Sequence, residues 1–115
     1  MRIVVIGAGR IGARVIMQLQ KNPKIEIVTI DPREQPFAVQ QEIISVVDFR
    51  EALTPQAIEY VVSEAQPDLV LVTTSTEDME LGKVPGVDIL VEALRQEIAA
   101  IADVPVIGVA RALGG

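Results

Sequence analysis

Five short runs of nearly uninterrupted Val, Ile and Leu punctuate the chain: RIVVIG at 2–7, IEIVTID at 25–31, IISVVD at 43–48, DLVLVTT at 68–74 and VPVIGVA at 104–110. A strand with one face in water alternates apolar and polar residues. These runs scarcely do, which marks strands buried on both faces of a parallel sheet. Helix-like stretches fill the intervals. Ile11, Val15 and Leu19 recur every four residues, Arg14, Gln18 and Lys21 face away, and Asn22 with Pro23 stops the pattern. Thr54 before Pro55 has the chemistry of an N-cap with proline at the first helical position, opening QAIEYVVSEAQ toward Pro67. PREQPFAVQQE is interrupted by Pro36 and has room for a short helix only. The longest helix is expected over 87–102, where Ile89, Leu90, Ala93, Leu94, Ile98 and Ile101 make an apolar face that Val91 widens.

Strand and helix in alternation predict an α/β fold in one domain over residues 1–115. The expected architecture is a single doubly wound parallel sheet of about five strands in the order 3-2-1-4-5. Ligands of such sheets sit beyond the carboxyl ends of the strands, where the winding reverses between the first and fourth strands.

The first run ends in Gly7, Gly9 and Gly12, a GxGxxG pattern with a buried strand before it and an amphipathic helix after it. That context is what gives the pattern meaning, and it makes the sheet Rossmann-like. The first glycine permits the tight turn, the second lets the backbone approach a pyrophosphate, and the third lets helix and strand pack closely. The helix N-terminus then offers unpaired N–H groups and partial positive charge to the phosphates, with Arg10 and Ile11 in its first turn. Asp31 closes the second run, 19 residues beyond Gly12, where a carboxylate accepts hydrogen bonds from ribose hydroxyls. A 2'-phosphate would meet like charge there, which favours NAD over NADP, although Arg33 stands close enough to turn toward such a phosphate. The plainer role for Asp31 is to cap the turn at Pro32. Pro32 and Arg33 complete this part of the expected coenzyme site.

Other residues fall at the same end of the sheet. Asp48 closes the third run and either reaches the adenine edge or caps the turn before Phe49. Thr73, Thr74, Ser75 and Thr76 form a hydroxyl run that either contacts ribose and phosphate or, at Ser75 or Thr76, caps the turn EDME. The stretch from 77 to 87, with two glycines and a proline, is either a mobile flap or a plain connection. Lys83 and Tyr60 are the conventional proton donors besides carboxyls, and both types sit more often on surfaces or in packing.

Composition narrows the chemistry. With no Cys, His or Trp in 115 residues, disulfides, thiolate nucleophiles, histidine-containing zinc sites and a histidine base are excluded within this sequence, and no catalytic or metal-binding residues are assigned. A net charge of −6 with scattered basic residues argues against nucleic acid as a partner. Without a signal-like start or an apolar stretch of about 20 residues, a cytoplasmic protein with no membrane insertion is expected.

From Met1 to about Asp78 the chain resembles the TrkA-N type nucleotide-binding domain, also called the regulator of potassium conductance domain. The matching pieces are VIGAGRIG, VTID with Asp31, VVD with Asp48, and DLVLVTTSTED. The resemblance implies binding of NAD(H) or another adenine nucleotide, Asp31 as ribose ligand, Asp48 near the adenine, and a regulatory role as a dimer. The expected function is accordingly an NAD(H)-binding sensing module. The alternative is the cofactor-binding subunit of an NAD(P)-dependent oxidoreductase whose substrate domain comes from another chain. A homodimer or a partner protein is expected in either case.

Overall fold

In a computed structural model, which describes residues 1–74, 93, 96–100 and 103–109, the run at 2–7 becomes an inner strand of a parallel sheet. Strand β1 (Arg2–Ile6) is followed by helix α1 (Arg10–Gln20), strand β2 (Glu26–Ile30), the short helix α2 (Phe37–Gln40), helix α3 (Pro55–Ala65), strand β3 (Leu69–Val72) and strand β4 (Val106–Gly108). The described strands lie in the order β2-β1-β3-β4. β1 pairs with β2 from Arg2↔Glu26 to Ile6↔Ile30 and with β3 from Ile3↔Leu69 to Ile6↔Val72, all parallel.

The apolar runs are buried on both faces, as their lack of alternation predicts. Val4 and Ile6 face a cluster with Ile58, Val61 and Ala65 of α3. Ile3 and Val5 face the opposite cluster with Ala13, Val15 and Ile16 of α1. Two helices on opposite faces make the sheet doubly wound, and the winding reverses between β1 and β3. Thr54 caps α3 as expected: its hydroxyl accepts the Ala57 amide at 3.2 Å, with Pro55 at the first position. Of the helix expected over 87–102, residues 93 and 96–100 are helical and Ile98 is fully buried; the remaining positions lie outside the described residues.

The expected outer strand at 43–48 is not formed, so the described sheet has four strands where about five were expected. The reason lies in where its amides and side chains go. Ile43 and Ile44 both donate to the carbonyl of Ala38 in α2, at 2.9 and 3.3 Å, and both pack on the α1 side of the core. Consecutive residues facing one way are incompatible with a pleat that alternates them. A left-handed Glu42 (φ 58°) makes the turn that sends them there. Pairing resumes only at Phe49, a single bridge to Ile30.

Candidate functional site

At the carboxyl end of β1 the chain turns into α1 through Gly7, whose φ of 97° lies in the left-handed region where glycine carries no steric cost. Gly9 caps α1 with extended backbone, and its carbonyl accepts the Ala13 amide at 2.8 Å. Gly12 sits where α1 touches the loop. A Cβ built there would collide with the Gly7 carbonyl oxygen and lie 2.8 Å from the Thr73 hydroxyl, so the third glycine is demanded by packing. The first turn of α1 holds no acidic residue, leaving the partial positive charge of its N-terminus uncancelled.

The loop is braced from three directions. From β3's end, the Thr73 hydroxyl lies 2.9 Å from the Ile6 carbonyl and 2.7 Å from that of Gly7, and the Thr74 hydroxyl reaches Ile6 at 3.2 Å. These buried hydroxyls are turned onto the loop and splint the ends of β1 and β3 together. From β2's end, Asp31 Oδ2 accepts the Ala8 amide at 2.8 Å. From α2, the Ala38 amide donates to the Ala8 carbonyl at 3.0 Å. Ala8 is fully buried and gives both backbone groups to this scaffold, so the loop is set before any ligand arrives.

Asp31 has no exposed surface, yet its carboxylate is paired: Arg33 contributes its backbone amide and Nε to Oδ1, both at 2.9 Å, and Nη2 to Oδ2 at 2.8 Å. Burial of the charge is tolerable because these donors surround it. Among the described residues, no buried side-chain polar atom lacks a hydrogen-bond partner. Pro32, half-buried, makes the turn between the two. Arg10 is exposed at the start of α1, with its guanidinium carbon 4.7 Å from the centre of the Phe37 ring. A cation over an aromatic face is worth about 0.5–1 kcal/mol at an exposed site, enough to bias where Arg10 rests. Ile11, half-buried, follows it on α1.

Asp48 lies elsewhere than the glycine loop. Its Oδ2 accepts both the Thr29 amide at 2.8 Å and the Thr29 hydroxyl at 3.1 Å, and its amide donates back to that hydroxyl at 3.1 Å. A side chain thereby supplies the hydrogen bond that an outer strand would have given β2. Ser75, Thr76, the 77–87 stretch and Lys83 lie outside the described residues. Tyr60, half exposed on α3, packs edge-on against Phe49 with ring centres 6.3 Å apart.

The structure thus gathers Gly7, Gly9, Gly12, Arg10, Asp31, Arg33, Thr73 and Thr74 at one end of the sheet, with the hydroxyls of Thr73 and Thr74 buried against the loop carbonyls and not turned outward to a ribose or phosphate. Ala8, Phe37 and Ala38 join them without having been foreseen. Ala8 and Ala38 act through backbone atoms, which leave no trace in residue type. Phe37 had a faint signal, being one of three aromatic residues in the chain and next to Pro36. A glycine turn at a helix N-terminus, with a buried carboxylate at the neighbouring strand end, fits a dinucleotide: amides for the diphosphate, an acid for the ribose.

Comparison with known proteins agrees. Residues 1–112 match the GFO/IDH/MocA family model, described as an oxidoreductase family with an NAD-binding Rossmann fold. No curated protein sequence matches the chain. Among solved structures, the chain is similar to the UDP-glucose 4-epimerase of Thermus thermophilus in complex with NAD, with 25% identity and a TM-score of 0.50 over 84% of this chain and 34% of that one. The chain therefore spans about a third of the epimerase's length. These matches support an NAD-binding Rossmann domain, but not the TrkA-N type in particular, and the described residues include no helix long and apolar enough to cross a membrane.

Proposed function

The chain belongs to the GFO/IDH/MocA oxidoreductase family, with its NAD-binding Rossmann fold, and from that premise we propose that it is the coenzyme-holding part of a cytoplasmic NAD-dependent oxidoreductase. NAD supplies hydride transfer when bound, so a chain of this kind contributes by positioning. The amides from Gly9 onward and the uncancelled end of α1 take the diphosphate, with Arg10 beside them. Asp31 takes the adenosine ribose. The acid, base and substrate contacts come from protein outside these residues. The observation that carries this reading is the Ala8 amide donating to the buried Asp31 carboxylate: phosphate loop and ribose acceptor are held in one rigid unit at the point where the sheet reverses its winding.

The absence of His and Cys from the sequence favours a second reading, a sensing module of the TrkA-N kind in which NAD(H) stabilises one assembly state over another. Turnover separates the two. With NAD and a panel of hydroxy acids and aldehydes, the protein alone is expected to bind coenzyme without reducing it. Adding the product of an adjacent gene is expected to produce NADH. Binding that changes the oligomeric state, with no turnover under either condition, would favour the sensor. Asp31→Asn is expected to weaken NAD about tenfold, the scale of one hydrogen bond to a charged group, as measured by calorimetry.

A further inference from the structure

The two long helices that flank the sheet carry charge of one sign each. α1 holds Arg10 and Arg14 with no acid, and Lys21 extends the row at its end, whereas α3 holds Glu59 and Glu64 with no base. A net charge of −6 would keep copies of the chain apart if it were spread evenly. It is not: the cationic helix covers one face of the sheet and the anionic helix the other. Among the described residues, neither Arg14 nor Lys21 has a carboxylate partner, and neither Glu59 nor Asp103 has a cationic one.

Each face also has an apolar feature between its charges. On α1, Met17 is 50% exposed, three residues after Arg14 and four before Lys21, so the three side chains share one side of the helix. Across the sheet, a cleft of about 390 Å³ opens beside α3. Ile58, Val62, Ile98 and Val104 give it an apolar floor, and exposed Glu59 and Asp103 stand at its rim. Pro67 before β3 and Val104 before β4 place it at the amino ends of these strands, the end of the sheet opposite the glycine loop. No cationic side chain is among its described lining residues.

We propose that this cleft receives α1 of a second copy of the chain, with Met17 on the apolar floor and Arg14 and Lys21 against Glu59 and Asp103. Methionine is unbranched and polarisable, and so fills an irregular floor. The aliphatic stems of Arg14 and Lys21 lie along the apolar walls while their charged ends reach the rim. Two different faces meet in this contact. Each pair therefore still presents a free α1 and a free cleft, and assembly continues past the dimer unless a ring closes. One helix in one cleft falls short of the ~1,200 Å² of a standard interface, so association is expected at about 100 μM chain and not at about 1 μM.

The test is sedimentation velocity over that range on the wild-type chain, Met17→Glu, Arg14→Glu and Glu59→Lys, with a thermal melt of each to establish folding. All three positions are exposed, so the fold is expected to tolerate the changes. Wild type is expected to associate, and each variant to stay monomeric at about 100 μM, a loss of about tenfold or more in affinity. An equimolar mixture of Arg14→Glu and Glu59→Lys is expected to associate again. The unaltered α1 of one fits the unaltered cleft of the other, and the two altered faces meet with their charges exchanged. Three variants on two faces keep the test decisive if one fails to fold. A wild type that is monomeric throughout overturns the proposal. So does association that survives Glu59→Lys, or a mixture no more associated than its parts.

Discussion

Gly9 and Gly12 are three residues apart and do different work, and substitution separates them. At Gly12 an added methyl group runs into the Gly7 carbonyl, which Thr73 pins in place. Gly12→Ala is therefore expected to lower stability by about 3 kcal/mol, the upper range for overpacking a filled site, as read from urea unfolding. Gly9 has φ −77° and ψ −156°, a backbone open to any residue. Gly9→Val is expected to destabilise the chain less than Gly12→Ala does, because its side chain enters the space proposed for the diphosphate. Gly12 was legible in the sequence because the close approach of α1 to the Gly7 carbonyl admits no side chain there. Asp31 was legible by its distance from that glycine. The grip of Arg33 was not, because the spacing allowed an arginine turned toward a phosphate or toward the acid, and only side-chain geometry decides between them.

At the scale of elements, long Val and Ile runs announced β1, β2 and β3 because burial on both faces tolerates little else. The same criterion misled at 43–48. Its Ile and Val residues are partly or fully buried except Val46, but they are buried by a looped path whose amides go to α2, and apolar content cannot tell a loop over a core from a strand in a sheet. The outer edge of β2 instead depends on Asp48. Asp48→Ala is expected to cost about 1–2 kcal/mol, the loss of charge-assisted hydrogen bonds to Thr29. Faster hydrogen exchange at the Thr29 amide locates the effect. Exchange unchanged at Thr29 would mean that this edge is held by other contacts.

Across the whole molecule, the proposed coenzyme site draws on β1, α1, β2, α2 and β3, so a ligand seated there would tie together nearly every described element. Linkage then requires that NAD at a hundred times its dissociation constant add about 2.7 kcal/mol to unfolding, seen as a higher melting temperature. The Rossmann architecture was legible because alternation, glycine spacing and acid all point one way. The choice between a sensor domain and an oxidoreductase family was not, because both place the same residues at the same reversal of winding and differ in what surrounds them. The central claim is that bare backbone at the entry to α1 receives the coenzyme's diphosphate. Calorimetric titration of NAD into wild type and a folded Gly9→Val variant tests it most directly. One coenzyme per chain for wild type and no heat of binding for the variant is the expected result; a variant that binds NAD as tightly as wild type would contradict it.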